Sequence, residues 1–189
     1  MPEVLHISGT PNPRAKKFHL DVLISDGEPL SFPNADSASA HPAANALFQL
    51  EHIVNVFILD QVVTISLDDA DEWDIIEPEI SMILEEFTEP AEAKVATEID
   101  QAIPFPEDFF ALDIDSQFKH VNLILDVKVR PGLAGDGGGL ELMGIENQIV
   151  YIYYLGACGS CPSATTGTLN YIQQTLKQHA HPLIKVELS

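Results

Sequence analysis

Ile149-Val150-Tyr151-Ile152-Tyr153-Tyr154-Leu155, followed at once by Gly156-Ala157-Cys158-Gly159-Ser160-Cys161-Pro162, is the stretch on which the reading of this chain turns. The first run is β-branched and aromatic, which suits a buried strand. Pro162 suits the first turn of a helix, because its missing N–H falls where a helix has no internal acceptor and its fixed φ is already helical. Ala164, Leu169, Ile172 and Leu176 carry an apolar face onward, in a helix expected to end near His179. Both cysteines of the protein therefore sit at a strand-to-helix junction. Orphan N–H groups and the positive end of the helix dipole favour thiolate over thiol there, as a soft metal or redox chemistry requires.

Working outward, Leu183–Leu188 reads as a closing strand, and Leu140–Ile145 pairs with the 149–155 strand in a hairpin across Glu146-Asn147-Gln148. Gly135-Asp136-Gly137-Gly138-Gly139 is expected to be a loop. It is no phosphate loop, since no Gly-Lys-Ser/Thr follows and the G-x-G-x-x-G spacing fails at Leu140. From Ser116 to Leu133 the positions Phe118, Val121, Leu125, Val129 and Leu133 keep helical spacing, against a β-branched content that favours strand. Residues 116–189 thus read as helix-strand-strand-helix-strand.

Residues 1–87 read as a second small α/β unit. Val4–Ile7 and Phe18–Ile24 are strand candidates, separated by Thr10-Pro11-Asn12-Pro13, whose prolines enforce an extended or turning backbone. A helix is expected over His41–Leu50. Val54–Leu59 and Val62–Leu67 form a tight hairpin across Asp60-Gln61. Asp71 is the expected cap of an amphipathic helix with Trp73, Ile76, Ile80, Ile83, Leu84 and Phe87 on one face. The acidic group Asp68-Asp69-Ala70-Asp71-Glu72 lacks the order of a calcium loop. His6, His19, His41 and His52 have no ligand spacing, and no nucleophile is paired with a base. Residues 88–115 break the pattern and read as an acidic, proline-containing linker, whose Phe105, Phe109 and Phe110 are expected to dock rather than stay exposed. The fold class is α/β of the α+β kind, two small domains each with a short sheet and packed helices.

The net charge is −20 over 189 residues, which argues against nucleic acid because phosphate binding needs a cationic surface. Residues 1–87 hold 16 acids against three bases, whereas residues 121–189 hold five against four, so the cysteines lie in the nearly neutral part. No apolar run reaches the ~20 residues of a membrane span. The start shows no secretory pattern, so a cytoplasmic chain of bacterial type is expected, and a processed mitochondrial matrix chain would read the same.

Four readings compete for Cys158 and Cys161. Structural zinc needs two further ligands, and the chain has no other cysteine. A thioredoxin-like oxidoreductase has the thiol spacing, but only 28 residues follow Cys161. A structural disulfide does not suit a cytosolic chain. An iron–sulfur cluster takes four thiolates, which two chains of a symmetric dimer would supply as pairs.

Val129-Arg130-Pro131-Gly132-Leu133, Asp136-Gly137-Gly138 with Leu140-Glu141-Leu142, and Gly156–Pro162 with Thr168-Leu169 closely resemble the NifU C-terminal (Nfu) domain. Thr10–Pro13 with Lys17-Phe18, Ala46-Leu47-Phe48 and the Trp73 helix resemble the Nfu N-terminal domain. The resemblance implies a non-enzymatic scaffold or carrier. Cys158 and Cys161 would hold a cluster, [4Fe-4S] before [2Fe-2S], between two subunits, with Gly156, Gly159 and Pro162 as the supporting loop. The cluster would come from upstream assembly machinery and pass to apo-proteins, with targets recognised through the N-terminal domain. A thiol–disulfide oxidoreductase and a zinc-bound interaction module are the alternatives. The family often has Asp-Gly-Gly-Asp where this chain ends in Gly139, a departure expected to alter the loop without abolishing binding.

Overall fold

A computed structural model describes residues 2–91, 108–159 and 164–189. Phe105, Cys161, Pro162 and most of the linker therefore lie outside the described residues. These residues gather into two compact units: 2–91 with the short segments 136–138 and 155–159, and 108–135 with 139–154 and 164–189.

The first unit is built on an antiparallel sheet of five strands, β1 (Val4–Gly9), β2 (Ala15–Leu20), β3 (Leu30–Phe32), β4 (Ile53–Leu59) and β5 (Val62–Leu67), in the order β1-β2-β5-β4-β3. The hairpin expected at Asp60-Gln61 forms, with Asp60 at a φ of 54°. Strand alternation sends Phe18, Val56, Ile58, Val63, Ile65 and Leu67 to one face. Helices α1 (Pro42–Leu47) and α2 (Trp73–Phe87) cover it through Leu47, Trp73, Ile76, Ile80 and Leu84.

Three expectations change here. The second strand starts at Ala15 rather than Phe18, because the aliphatic stems of lysines can line a strand while their charges reach a partner. Lys16 pairs with Glu77 at 2.5 Å and lies 4.9 Å over the Trp73 ring. The first helix is shorter than expected, with Pro42 at its start and the His41 imidazole accepting from Ala44 N at 3.2 Å. The acidic cap is Asp69, whose carboxylate accepts from Asp71 N at 3.0 Å and opens a 3₁₀ turn, Ala70–Glu72, ahead of α2.

The second unit runs α3 (Ile114–Ile124), a π-helical turn (Leu125–Val129), α4 (Arg130–Gly135), β6 (Gly138–Glu146), β7 (Ile149–Gly156), α5 (Ala164–His179) and β8 (Lys185–Leu188). This is the expected helix-strand-strand-helix-strand order. The sheet order is β6-β7-β8, with β8 parallel to β7 after the α5 crossover. Asn147 and Gln148, with φ of 48° and 70°, make the two-residue turn between β6 and β7. The glycine run is not wholly a loop: Gly135 ends α4, while Gly138 and Gly139 are already in β6.

A short 3₁₀ turn, Phe109–Ala111, docks on this unit as expected for Phe109 and Phe110. Phe109 is fully buried, 5.9 Å from the His120 ring, and Phe110 lies 4.4 Å from His181. Phe109→Ala is expected to cost about 3 kcal/mol or more in urea unfolding; a change under 1 kcal/mol would show that the phenylalanine fills no essential space.

On the β1–β2 edge, His6 and His19 stack at 3.9 Å and Ser8 Oγ bonds His19 Nε2 at 2.9 Å. Burial, then the neighbouring His6 and Lys17, lower the His19 pKa. A lowered pKa means that the unfolded chain takes the proton first, so stability falls as pH drops below about 6.5. His6→Ala should raise the His19 titration midpoint, read by NMR of the imidazole; an unchanged midpoint would contradict the stacked pair.

Candidate functional site

β7 delivers its C-terminal end into a tight turn, because Gly156 takes a φ of +62° that L side chains rarely adopt. Gly159 N then donates to Gly156 O at 3.1 Å, placing Ala157 and Cys158 at the two central positions of the turn. Cys158 is buried at 8% exposure. Of the expected site residues, Gly156, Cys158 and Gly159 are thus brought together here.

The start of β6 is fitted to this turn. Ala157 N donates to Gly137 O at 3.1 Å. A Cβ on Gly138 would stand 2.5 Å from Cys158 Sγ, 2.9 Å from Cys158 N and 3.0 Å from Leu155 O. Backbone as well as thiol would have to move, so the cysteine rests on a surface that only glycine provides. Gly137, at a φ of +77°, lies against Thr64 and Lys17, and a Cβ on Gly156 would meet Gly137 O and Phe57.

Arg130 anchors β6 within the second unit. Its Nε donates to Leu140 O at 3.2 Å, its Nη2 donates to Asn122 Oδ1 at 3.0 Å, and it is ion-paired with Asp126. The guanidinium fork spans a helix and a strand end together. Tyr171 Oη donates to Lys128 O at 2.8 Å, using a carbonyl of the π-helical turn.

Sequence reasoning assigned no contact to Asn12, and the structure gives it one. Within the first unit, Asn12 Nδ2 donates to Ala157 O at 3.3 Å. The proline-flanked turn holds Asn12 through Thr10 Oγ1, which donates to Asn12 O at 2.9 Å, and through Arg14 N, which donates to Asn12 Oδ1 at 3.1 Å. Trp73 Nε1 fixes the same turn by donating to Pro13 O at 3.2 Å. The only signal in the sequence was a polar residue between two prolines.

Two family models match the chain in this order: "Scaffold protein Nfu/NifU N terminal" over residues 5–91 and "NifU-like domain" over residues 121–187. The chain belongs to the Nfu family. Among curated relatives of this Nfu chain, the "NFU1 iron-sulfur cluster scaffold homolog, mitochondrial" of Drosophila virilis is 33% identical over 94% of this chain and 59% of its own length. The protein of the same name in Drosophila sechellia is 32% identical over 94% of this chain and 62% of its own. The chain thus spans about three fifths of these relatives. Protein SAV1430 from Staphylococcus aureus, a solved structure, is 17% identical with a TM-score of 0.40, over 43% of this chain and 98% of that one.

Gly138→Ala is expected to destabilise the Nfu chain by about 1–3 kcal/mol, as overpacking does. It should also shift the Cys158 Cβ resonance in NMR. Unchanged stability with an unmoved resonance would show that β6 does not press on the thiol.

Proposed function

We propose that this chain is a carrier of iron–sulfur clusters. Cys158 and Cys161 from each of two chains would supply the four thiolates of one cluster, [4Fe-4S] in the first instance. The observation that carries this reading is the donor count: the chain has two cysteines, with Cys158 set in a tight turn against Gly138. Among the described residues no further His, Cys, Asp or Glu group is arranged to complete a metal site. The names of the curated relatives support the same reading.

The chain residues then divide the work. Residues 116–189 hold the cluster as cargo, residues 88–115 link, and the acidic residues 1–87 recognise apo-protein recipients. Upstream assembly machinery supplies the cluster. Ligands drawn from two separable chains allow release, which suits a carrier rather than a catalyst. Thiolate ligands require a reducing compartment, a bacterial cytoplasm or the mitochondrial matrix, and the curated relatives are named as mitochondrial. Among the described residues no helix is long and apolar enough to cross a membrane.

Anaerobic reconstitution with iron and sulfide is expected to give a brown dimer whose iron and sulfide contents and Mössbauer spectrum identify the cluster. Cys158→Ser and Cys161→Ser should each abolish it. A colourless monomer, or a normal cluster in either variant, would overturn the assignment.

A further inference from the structure

An antiparallel sheet can leave one face to water, and the outer face of the five-stranded sheet in the first unit carries residues suited to that. Across its middle, Lys17, Thr64 and Phe57 are successive cross-strand neighbours on β2, β5 and β4. They point away from the core packed under α1 and α2. Yet Thr64 is 1% exposed and Phe57 2%. Backbone lies against them: Gly137 on Thr64 and the Lys17 stem, and Gly156 on Phe57. At one edge of the contact, Asn12 donates to Ala157 O, one residue before the cysteine.

We propose that this row, with Asn12, is a seat for the protein's own cysteine turn, holding Cys158 covered in the cluster-free chain. The match is specific in shape, since a Cβ at Gly137 would lie 3.0–3.1 Å from Thr64 and Lys17, and one at Gly156 would lie 2.9–3.0 Å from Phe57. It is specific in chemistry too, because a buried peptide carbonyl needs a donor and Asn12 supplies one. Asn12 is itself 3% exposed and held by the Thr10 and Arg14 bonds, so its amide is already aimed before the turn arrives. On the reading that two turns share one cluster, a seated turn has its backbone occupied by its own sheet. Loading then requires it to leave the seat, and the sheet acts as a cover that a second chain or a donor must displace.

The test uses the full cluster-free chain carrying Cys161→Ser, so that Cys158 is the single thiol, and follows its alkylation by iodoacetamide. In this parent the rate is expected to be at least tenfold below that of the same chain unfolded in guanidinium. Asn12→Asp keeps an acceptor for Arg14 N but removes the donor to Ala157 O, and is expected to raise the rate at least tenfold with the fold retained by NMR. Phe57→Ala should act in the same direction. A parent as reactive as the unfolded chain, or a folded Asn12→Asp protein as slow as the parent, would overturn the seat. Reconstitution of the two-cysteine chain separates the ideas. Cluster formation with equal alkylation rates removes the seat alone, whereas unequal rates without a cluster remove the carrier reading and leave the seat standing.

Discussion

The close approach of main chain to main chain around Cys158 is the constraint to which the neighbouring elements conform. A Cβ on Gly138 or Gly156 would come within about 3 Å of other backbone, and Gly137 holds a φ of +77° against Thr64 and Lys17. The hydrogen bond from Ala157 N to Gly137 O closes the arrangement. A thiol in such a place has its position set by backbone, which moves less than side chains do. Steric exclusion, rather than attraction, therefore defines where the sulfur sits, and the cost of disturbing it falls on two segments at once.

Holding glycines in that geometry requires rigid support, because glycine loses more conformational freedom on folding than any other residue. Within the first unit, Trp73 provides part of it by bonding Pro13 O and so fixing the turn that bears Asn12. Within the second unit, Arg130 ties Leu140 to Asn122 and Asp126 on the preceding helical segment. The residues whose resemblance marked the family are thus also the ones that brace these turns.

Much of this was legible because the chemistry is local. The β-branched run 149–155 was legible as a strand, and the Asp60-Gln61 hairpin and the Trp73 face followed from periodicity, whereas the tight Gly156–Gly159 turn was read only as a strand-to-helix junction. What escaped depends on distance. Ala15–Lys17 did not look like strand, since Lys16 is explained only by Glu77 and the Trp73 ring far along the chain. Leu30–Phe32 is too short to show alternation. Asn12 is separated by 145 positions from the carbonyl it serves, and no pattern in one sequence records such a pairing. The glycine run was read as slack, whereas close approach is what Gly138 is needed for.

The π-helical turn in the second unit has a consequence for phase. Val121, Leu125, Val129 and Leu133 are all buried and recur every four residues. At roughly 100° per residue, each step of four in an α-helix overshoots a full turn by about 40°, so three steps would carry the last side chain well round the cylinder. The i→i+5 closure from Arg130 N to Leu125 O widens one turn and takes up that overshoot. The bulge works as a vernier: it keeps a four-residue repeat on one meridian, so that a stretch whose valines favour strand can line a helix from Val121 to Leu133.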